Sequence, residues 1–205
     1  MLVDDHEVVR SGYRRLIENT SDIEVITEAA SGEEAYNNYM QYQPHVVVMD
    51  LSMPGMGGLQ AIKKILEFDK KAKILVFSVH DNEVFLHRAL DNGALGYITK
   101  KSASAIMVEA VHQIAQGKPF IGEDVLPYLI KRTDEKTLFE QLSPREFEVF
   151  LLLTEGKSVN EISELLDVST KTVGNHVVSI KSKLGTSNVV ELTHLAIRCG
   201  FITIT

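Results

Sequence analysis

The stretch His45-Val46-Val47-Val48-Met49-Asp50 limits the fold more than any other part of this 205-residue chain. Its apolar run is short, continuous and β-branched, and Leu51-Ser52-Met53-Pro54-Gly55-Met56-Gly57-Gly58 closes it at once. Such a run, ended by Pro and Gly, reads as a strand buried on both faces, the mark of a parallel sheet. Asp50 then sits at the carboxyl end of that strand, where open α/β sheets place their ligands. That position makes Asp50 the expected phosphate acceptor.

The flanking sequence repeats the same unit. Met1-Leu2-Val3 is a very short first strand ending at Asp4-Asp5-His6, and Val8, Val9, Tyr13, Leu16 and Ile17 then recur at helical spacing. Ile23 to Thr27 alternates as a second strand, and Ser31 with Glu34 predicts a capping box for the next helix. After Asp50 come a helix to about Phe68, a strand from Ile74 that ends at Ser78, and a helix stopped by Asn92-Gly93. Gly96 to Lys100 is a fifth strand, and Ser102 is the expected cap of a helix that stops at Gly117. Five βα units over residues 1–116 predict an α/β doubly wound, five-stranded parallel sheet with both faces covered.

Composition removes several function classes. No apolar stretch approaches the roughly 20 residues of a membrane span. Asp4 and Asp5 leave no room for a signal peptide, and the single cysteine, Cys199, excludes an internal disulfide and fits a reducing cytoplasm. A net charge of −7 argues against coating nucleic acid non-specifically while permitting a local DNA-reading element.

Chemistry is expected where polar residues end strands: Asp4 and Asp5 after the first, Asp50 after the third, Ser78 after the fourth, Lys100 after the fifth. In a doubly wound sheet these ends share one crevice. Two or three carboxylates there suit Mg²⁺, and a lysine with a hydroxyl could bind phosphoryl oxygens. Each residue alone has a plain explanation as helix cap, strand end or solvated charge. Five at the right strand ends do not. His6 reads as a helix-start residue, since Mg²⁺ prefers oxygen.

Residues 117–141 read as a linker. Gly117, Pro119 and Gly122 break regular structure, Val125 to Ile130 offers a helical turn or two, and 131–136 is a mixed charge run. From residue 142 the strand-like runs cease. Ser143-Pro144 with Glu146, and Ser158 with Glu161, predict two capping boxes, and Asp167-Val168-Ser169 turns the chain into a third helix ending near Leu184-Gly185. A fourth helix follows from Asn188, so residues 142–205 predict an all-α, four-helix unit containing a helix-turn-helix. At about 100° per residue, Val173, Val177, Ile180 and Leu184 form the core face of the third helix. Lys171, Asn175, Val178 and Ser182 point the other way, with Thr172 and Ser179 on one flank. Residues 140–205 carry 6 basic and 8 acidic residues, yet Ser169 to Leu184 holds three lysines and no acid. Positive charge is concentrated on the helix expected to meet phosphate.

These motifs carry two resemblances. Val3-Asp4-Asp5-His6, Met49-Asp50 through Pro54-Gly55-Met56, Phe77-Ser78 and Gly96-Tyr97-Ile98-Thr99-Lys100-Lys101 resemble the flavodoxin-like receiver domain of two-component response regulators. That resemblance implies phosphorylation of Asp50 by a sensor histidine kinase. It also implies Mg²⁺ held by Asp5, Asp50 and the backbone carbonyl of Ser52, with Asp4 acting through water. Ser78 and Lys100 would bind the phosphoryl group, Tyr97 would follow Ser78, and Ser52 and His80 would lie where the family tunes access of water. Phe85 to Gly117 is then the expected output face, able to pair with a second copy.

Leu142-Ser143-Pro144-Arg145-Glu146, Glu161-Ile162-Ser163 and Ser169-Thr170-Lys171-Thr172-Val173 through Lys183-Leu184-Gly185 resemble the LuxR-type helix-turn-helix of NarL/FixJ-like regulators. This implies a cytoplasmic, non-enzymatic transcription regulator that dimerises when phosphorylated, binds promoter DNA and works with RNA polymerase. Its only chemistry would be phosphoryl transfer to, and hydrolysis from, Asp50. The third helix would enter the major groove, with base contacts near Gly174, Asn175 and Val178. Gly174 departs from the long polar residue usual there. In physical terms Asn175 suits an adenine edge and Val178 a thymine methyl, leaving Lys171, Thr172 and Lys181 for phosphates. His176 is expected to pack at the helix edge, and Cys199 to be a quiet thiol. Two alternatives stand beside this reading: a phosphatase with Asp50 as nucleophile, in which Ser52 replaces the second carboxylate such enzymes want, and a switch whose helical end binds protein.

Overall fold

The computed structural model describes residues 1–129, 138–199 and 201–202, so the charge run 131–136 lies outside the described residues. The chain divides into two compact units, Met1–Lys131 and Arg132–Thr205.

The first unit is a parallel sheet in the order β2-β1-β3-β4-β5-β6. Its strands are β1 (Leu2–Val3), β2 (Glu28–Ala29), β3 (Val47–Met49), β4 (Ile74–Ser78), β5 (Gly96–Thr99) and β6 (Phe120–Ile121). The helices are α1 (Glu7–Glu18), α2 (Gly32–Tyr42), α3 (Gly58–Phe68), α4 (Glu83–Asp91) and α5 (Ala103–Ala115). α1 packs on α5, while α3 packs on both α2 and α4. Alternate strand residues feed the two faces: Leu2, Val48, Leu75, Phe77 and Ile98 join Met107 and Ile114 of α5 in one core cluster. Each such side chain contributes roughly 1.5–3 kcal/mol by leaving water.

Four expectations need correction. The sheet has six strands: Phe120 and Ile121, in the stretch read as connector because of its Gly and Pro, pair with Gly96 and Tyr97 of β5. β5 is therefore an interior strand, with β6 along its far side. β2 lies downstream of Ile23 to Thr27, because β1 presents only Leu2 and Val3, and these pair with Glu28 and Ala29. The Glu34 carboxylate accepts from the Ala30 amide at 2.7 Å, one residue before the cap, although Ser31 does accept from the Glu34 amide. Ser102 makes no cap hydrogen bond, since its hydroxyl turns to Thr99 and Asp124.

The second unit holds α6 (Pro144–Thr154), α7 (Val159–Leu165), α8 (Thr170–Leu184) and α9 (Val189–Arg198). Both predicted capping boxes are present, at Ser143/Glu146 and Ser158/Glu161. Asp167, with φ of +50°, turns the chain between α7 and α8, and Gly185 ends α8 in the left-handed conformation. α8 packs on α6 and α7, and α9 on α6. Phe139, Phe147, Phe150 and Phe201 cluster at the core, with Phe139 and Phe201 centroids 4.8 Å apart and edge to face. Among the described residues no helix is long and apolar enough to cross a membrane.

Candidate functional site

Parallel pairing in register delivers the strand-end residues to one crevice. Asp50 follows β3, its amide donating to the Val3 carbonyl at 2.9 Å, so it stands beside the end of β1 and Asp4. Both carboxylates are almost completely buried. Lys100, one residue past β5, bridges them: its Nζ lies 2.5 Å from Asp4 Oδ2 and 2.7 Å from Asp50 Oδ2. Asp50 Oδ1 accepts from the amides of Leu51 at 2.7 Å and Ser52 at 3.3 Å. Burial pushes the Asp50 carboxyl up, Lys100 pulls it back, and the balance leaves it at about 6. Burial works against the Lys100 ammonium, but the charges of Asp50 and Asp4 outweigh it and raise its pKa.

Asp5 takes no part in the lysine bridge. Its Oδ1 is buried and accepts no hydrogen bond, although His6 Nδ1 stands 2.9 Å away. Asp4, Asp5 and His6 bring ligand atoms within 4.8 Å of one another, and a buried Asp5 oxygen with only the His6 imidazole near it, beside the Asp4 carboxylate, suits a hard divalent cation. The donor set thus fits Mg²⁺. His6 begins α1 without a side-chain cap bond, and its amide donates to Asp4 Oδ1 at 2.9 Å.

The remaining predicted residues meet at His80. Its amide donates to Ser78 Oγ at 3.2 Å, its Nε2 is 2.8 Å from Ser52 Oγ, and its carbonyl accepts from the Tyr97 hydroxyl at 2.7 Å. Its ring stacks on Phe85, centroids 3.7 Å apart. Burial lowers the His80 pKa to about 4, so the ring is neutral at physiological pH. Tyr97 is fully buried, which raises its phenol pKa.

Two features were missed. Gly58, at the start of α3, passes so close to β3 that a Cβ there would lie 1.9 Å from the Asp50 carbonyl oxygen. The Gly57-Gly58 pair directly after the acid was the available signal. The Lys101–Asp81 ion pair, 2.5 Å, links the loops after β5 and β4, and nothing local in the sequence pairs residues twenty apart.

On the second unit, α8 buries Val173, Ile180 and Leu184 and leaves Lys171, Asn175, Val178 and Ser182 exposed, as the angular analysis predicts, while Val177 of the predicted core face is only half-buried. Val178 is 66% exposed. Thr172 is held at the cap, its amide donating to Ser169 Oγ at 3.1 Å. Gly174 is half-exposed, and Lys181 Nζ donates to the Ser187 carbonyl at 3.4 Å. Lys183 and Ser179 instead bind the buried Glu146 of α6, each at 2.6 Å. Burial pushes Glu146 up, but hydrogen bonds from Lys183, Ser179 and Ser143 together outweigh it and bring its pKa to about 2. His176 is half-buried with a pKa lowered by burial, and Cys199 is buried.

Comparison with known proteins agrees with both halves. Residues 1–112 match the family described as "Response regulator receiver domain", and residues 140–196 match "Bacterial regulatory proteins, luxR family". The chain is 40% identical over 204 residues to "Response regulator UvrY" of Escherichia coli K12, covering 98% of this chain and 94% of that one. It is 38% identical over 208 residues to "Oxygen regulatory protein NreC" of Staphylococcus carnosus, with 97% and 96% covered. Among solved structures, RcsB of Salmonella enterica serovar Typhimurium, bound to promoter rprA with phosphomimetic BeF3⁻, is 30% identical and covers 95% of each chain at a TM-score of 0.68.

Proposed function

The chain belongs to the two-component response regulators that join a receiver domain to a luxR-type DNA-binding domain, and we propose from that premise that phosphorylation of Asp50 controls how α8 reads a promoter. The observation that carries this reading is Asp50 itself, a buried carboxylate bridged by Lys100 to Asp4.

In the proposed reaction an Asp50 oxygen attacks the phosphorus of a kinase phosphohistidine. An O–P bond forms, the N–P bond breaks, and the imidazole nitrogen leaves with the electron pair and takes a proton. Lys100 turns from the carboxylate to the new phosphoryl oxygens, and Ser78 Oγ donates to another. That turn draws Ser78 from the His80 amide, and through the His80 carbonyl the change reaches Tyr97. A Mg²⁺ ion held by Asp5, Asp50 and the Ser52 carbonyl, with Asp4 through water, would supply charge neutralisation when bound. Hydrolysis returns the carboxylate, and no further substrate is turned over.

The output is a cytoplasmic transcription regulator that pairs as a homodimer, sets two α8 helices into major grooves of promoter DNA and acts with RNA polymerase. Lys171, Thr172 and Lys181 would meet phosphates, while Gly174, Asn175 and Val178 would face base edges. Treatment with acetyl phosphate and Mg²⁺ should label the wild type once per chain and leave Asp50→Asn unlabelled. The labelled form should then enrich a defined duplex from a random pool. Equal enrichment by Asp50→Asn under the same treatment would sink the switch assignment.

A further inference from the structure

Nothing in the fold of the second unit requires residue 174 to be glycine. It lies within α8 without a positive φ, and a Cβ built on it meets no atom within 4 Å. Packing and backbone conformation therefore leave the choice free, and glycine is among the poorest helix formers. Its neighbours on the same face, Lys171 one turn before and Val178 one turn after, are both exposed. The outward surface of α8 thus has bare backbone beside an exposed valine, a gap one side chain deep with open space where a Cβ would stand.

We infer that Gly174 and Val178 form a methyl-accepting recess that reads thymine, and that Gly174 is a specificity-determining residue for the operator of this chain. The inference rests on α8 being the DNA-reading helix. The chemistry that selects the ligand is simple: the only apolar group on the base edges of the major groove is the C5 methyl of thymine. A recess lined by valine and backbone accepts that methyl, whereas any side chain at 174 would fill it.

The test uses the full-length phosphorylated protein and the duplex it enriches from a random pool. Each thymine is replaced in turn by deoxyuridine, which removes one methyl and nothing else. One thymine per half-site should lose about fourfold in affinity on replacement, as expected for one methyl-sized group leaving an apolar contact. Gly174→Ala should melt at a higher temperature than wild type yet bind the operator about tenfold more weakly, and the deoxyuridine penalty should vanish. Gly12→Ala, in α1, also places its Cβ in open space and serves as the control, stabilised with unchanged DNA affinity. Indifference of the wild type to every deoxyuridine, or unaltered binding by Gly174→Ala, overturns the inference and leaves the DNA reading intact. Failure to enrich any duplex overturns both.

Discussion

Glu146 shows how far one side chain can set the geometry of a working surface. It completes the cap of α6 by accepting from the Ser143 amide, and it also holds Ser179 and Lys183 of α8. Hydrogen bonds to a charged group contribute about 1.5–3 kcal/mol, and with the Lys183 end exposed to solvent the lower figure of about 1.5 kcal/mol applies. Glu146→Gln should therefore destabilise the helical unit by about that amount at neutral pH. The folded pKa of about 2 lies below the ordinary 4.5, so this contribution is complete above pH 4.5 and is lost as pH falls toward 2. Thermal melts across that window should show the gap between wild type and Glu146→Gln closing on acidification. A gap that stayed constant would mean that the carboxylate charge is not what binds the helices. At this scale the sequence was only half informative: it predicted the cap from spacing three, but not the reach to residues 33 and 37 positions away.

At the scale of elements, local pattern succeeded where the residues of an element decide their own conformation. The predicted N-caps Ser31, Ser143, Ser158 and Ser169 all accept from the amide three residues on. Pattern failed where a neighbouring strand decides. The position of β2 follows from the brevity of β1, and β6 exists because β5 offers Phe120 a partner. Ser102 is the instructive exception among caps, since Asp124, brought over β5 by the chain after β6, takes its hydroxyl. The start of α3 carries a prediction of its own. Gly58→Ala would drive a Cβ into the Asp50 backbone, which cannot yield as a flexible side chain would. That variant should lower the melting temperature and slow labelling by acetyl phosphate at least tenfold, whereas Gly12→Ala should do neither. Normal labelling of Gly58→Ala would show that the loop after Asp50 tolerates displacement.

At the scale of the whole molecule the balance of charge matters. A chain of net charge −7 that reads DNA must do so with few cations. With Lys183 committed to Glu146, Lys171 and Lys181 remain on each α8, about four phosphate contacts in a dimer. The logarithm of affinity should then fall with the logarithm of salt at a slope of about −4. Light scattering should show the mass doubling on phosphorylation of Asp50; a phosphorylated monomer that binds its duplex just as tightly would count against pairing as the output. The sequence by itself determined the two architectures, the acids, hydroxyl and lysine that end the strands, and the outward face of α8. Those features are written in short-range periodicity and in residues whose place in a strand or helix is set by their neighbours. Only the tertiary structure decided that Lys100 bridges Asp4 and Asp50, that His80 joins Ser52, Ser78 and Tyr97, and that one of three lysines on α8 is already occupied. Those contacts depend on side chains brought together from distant strands and helices, and no local spacing encodes them.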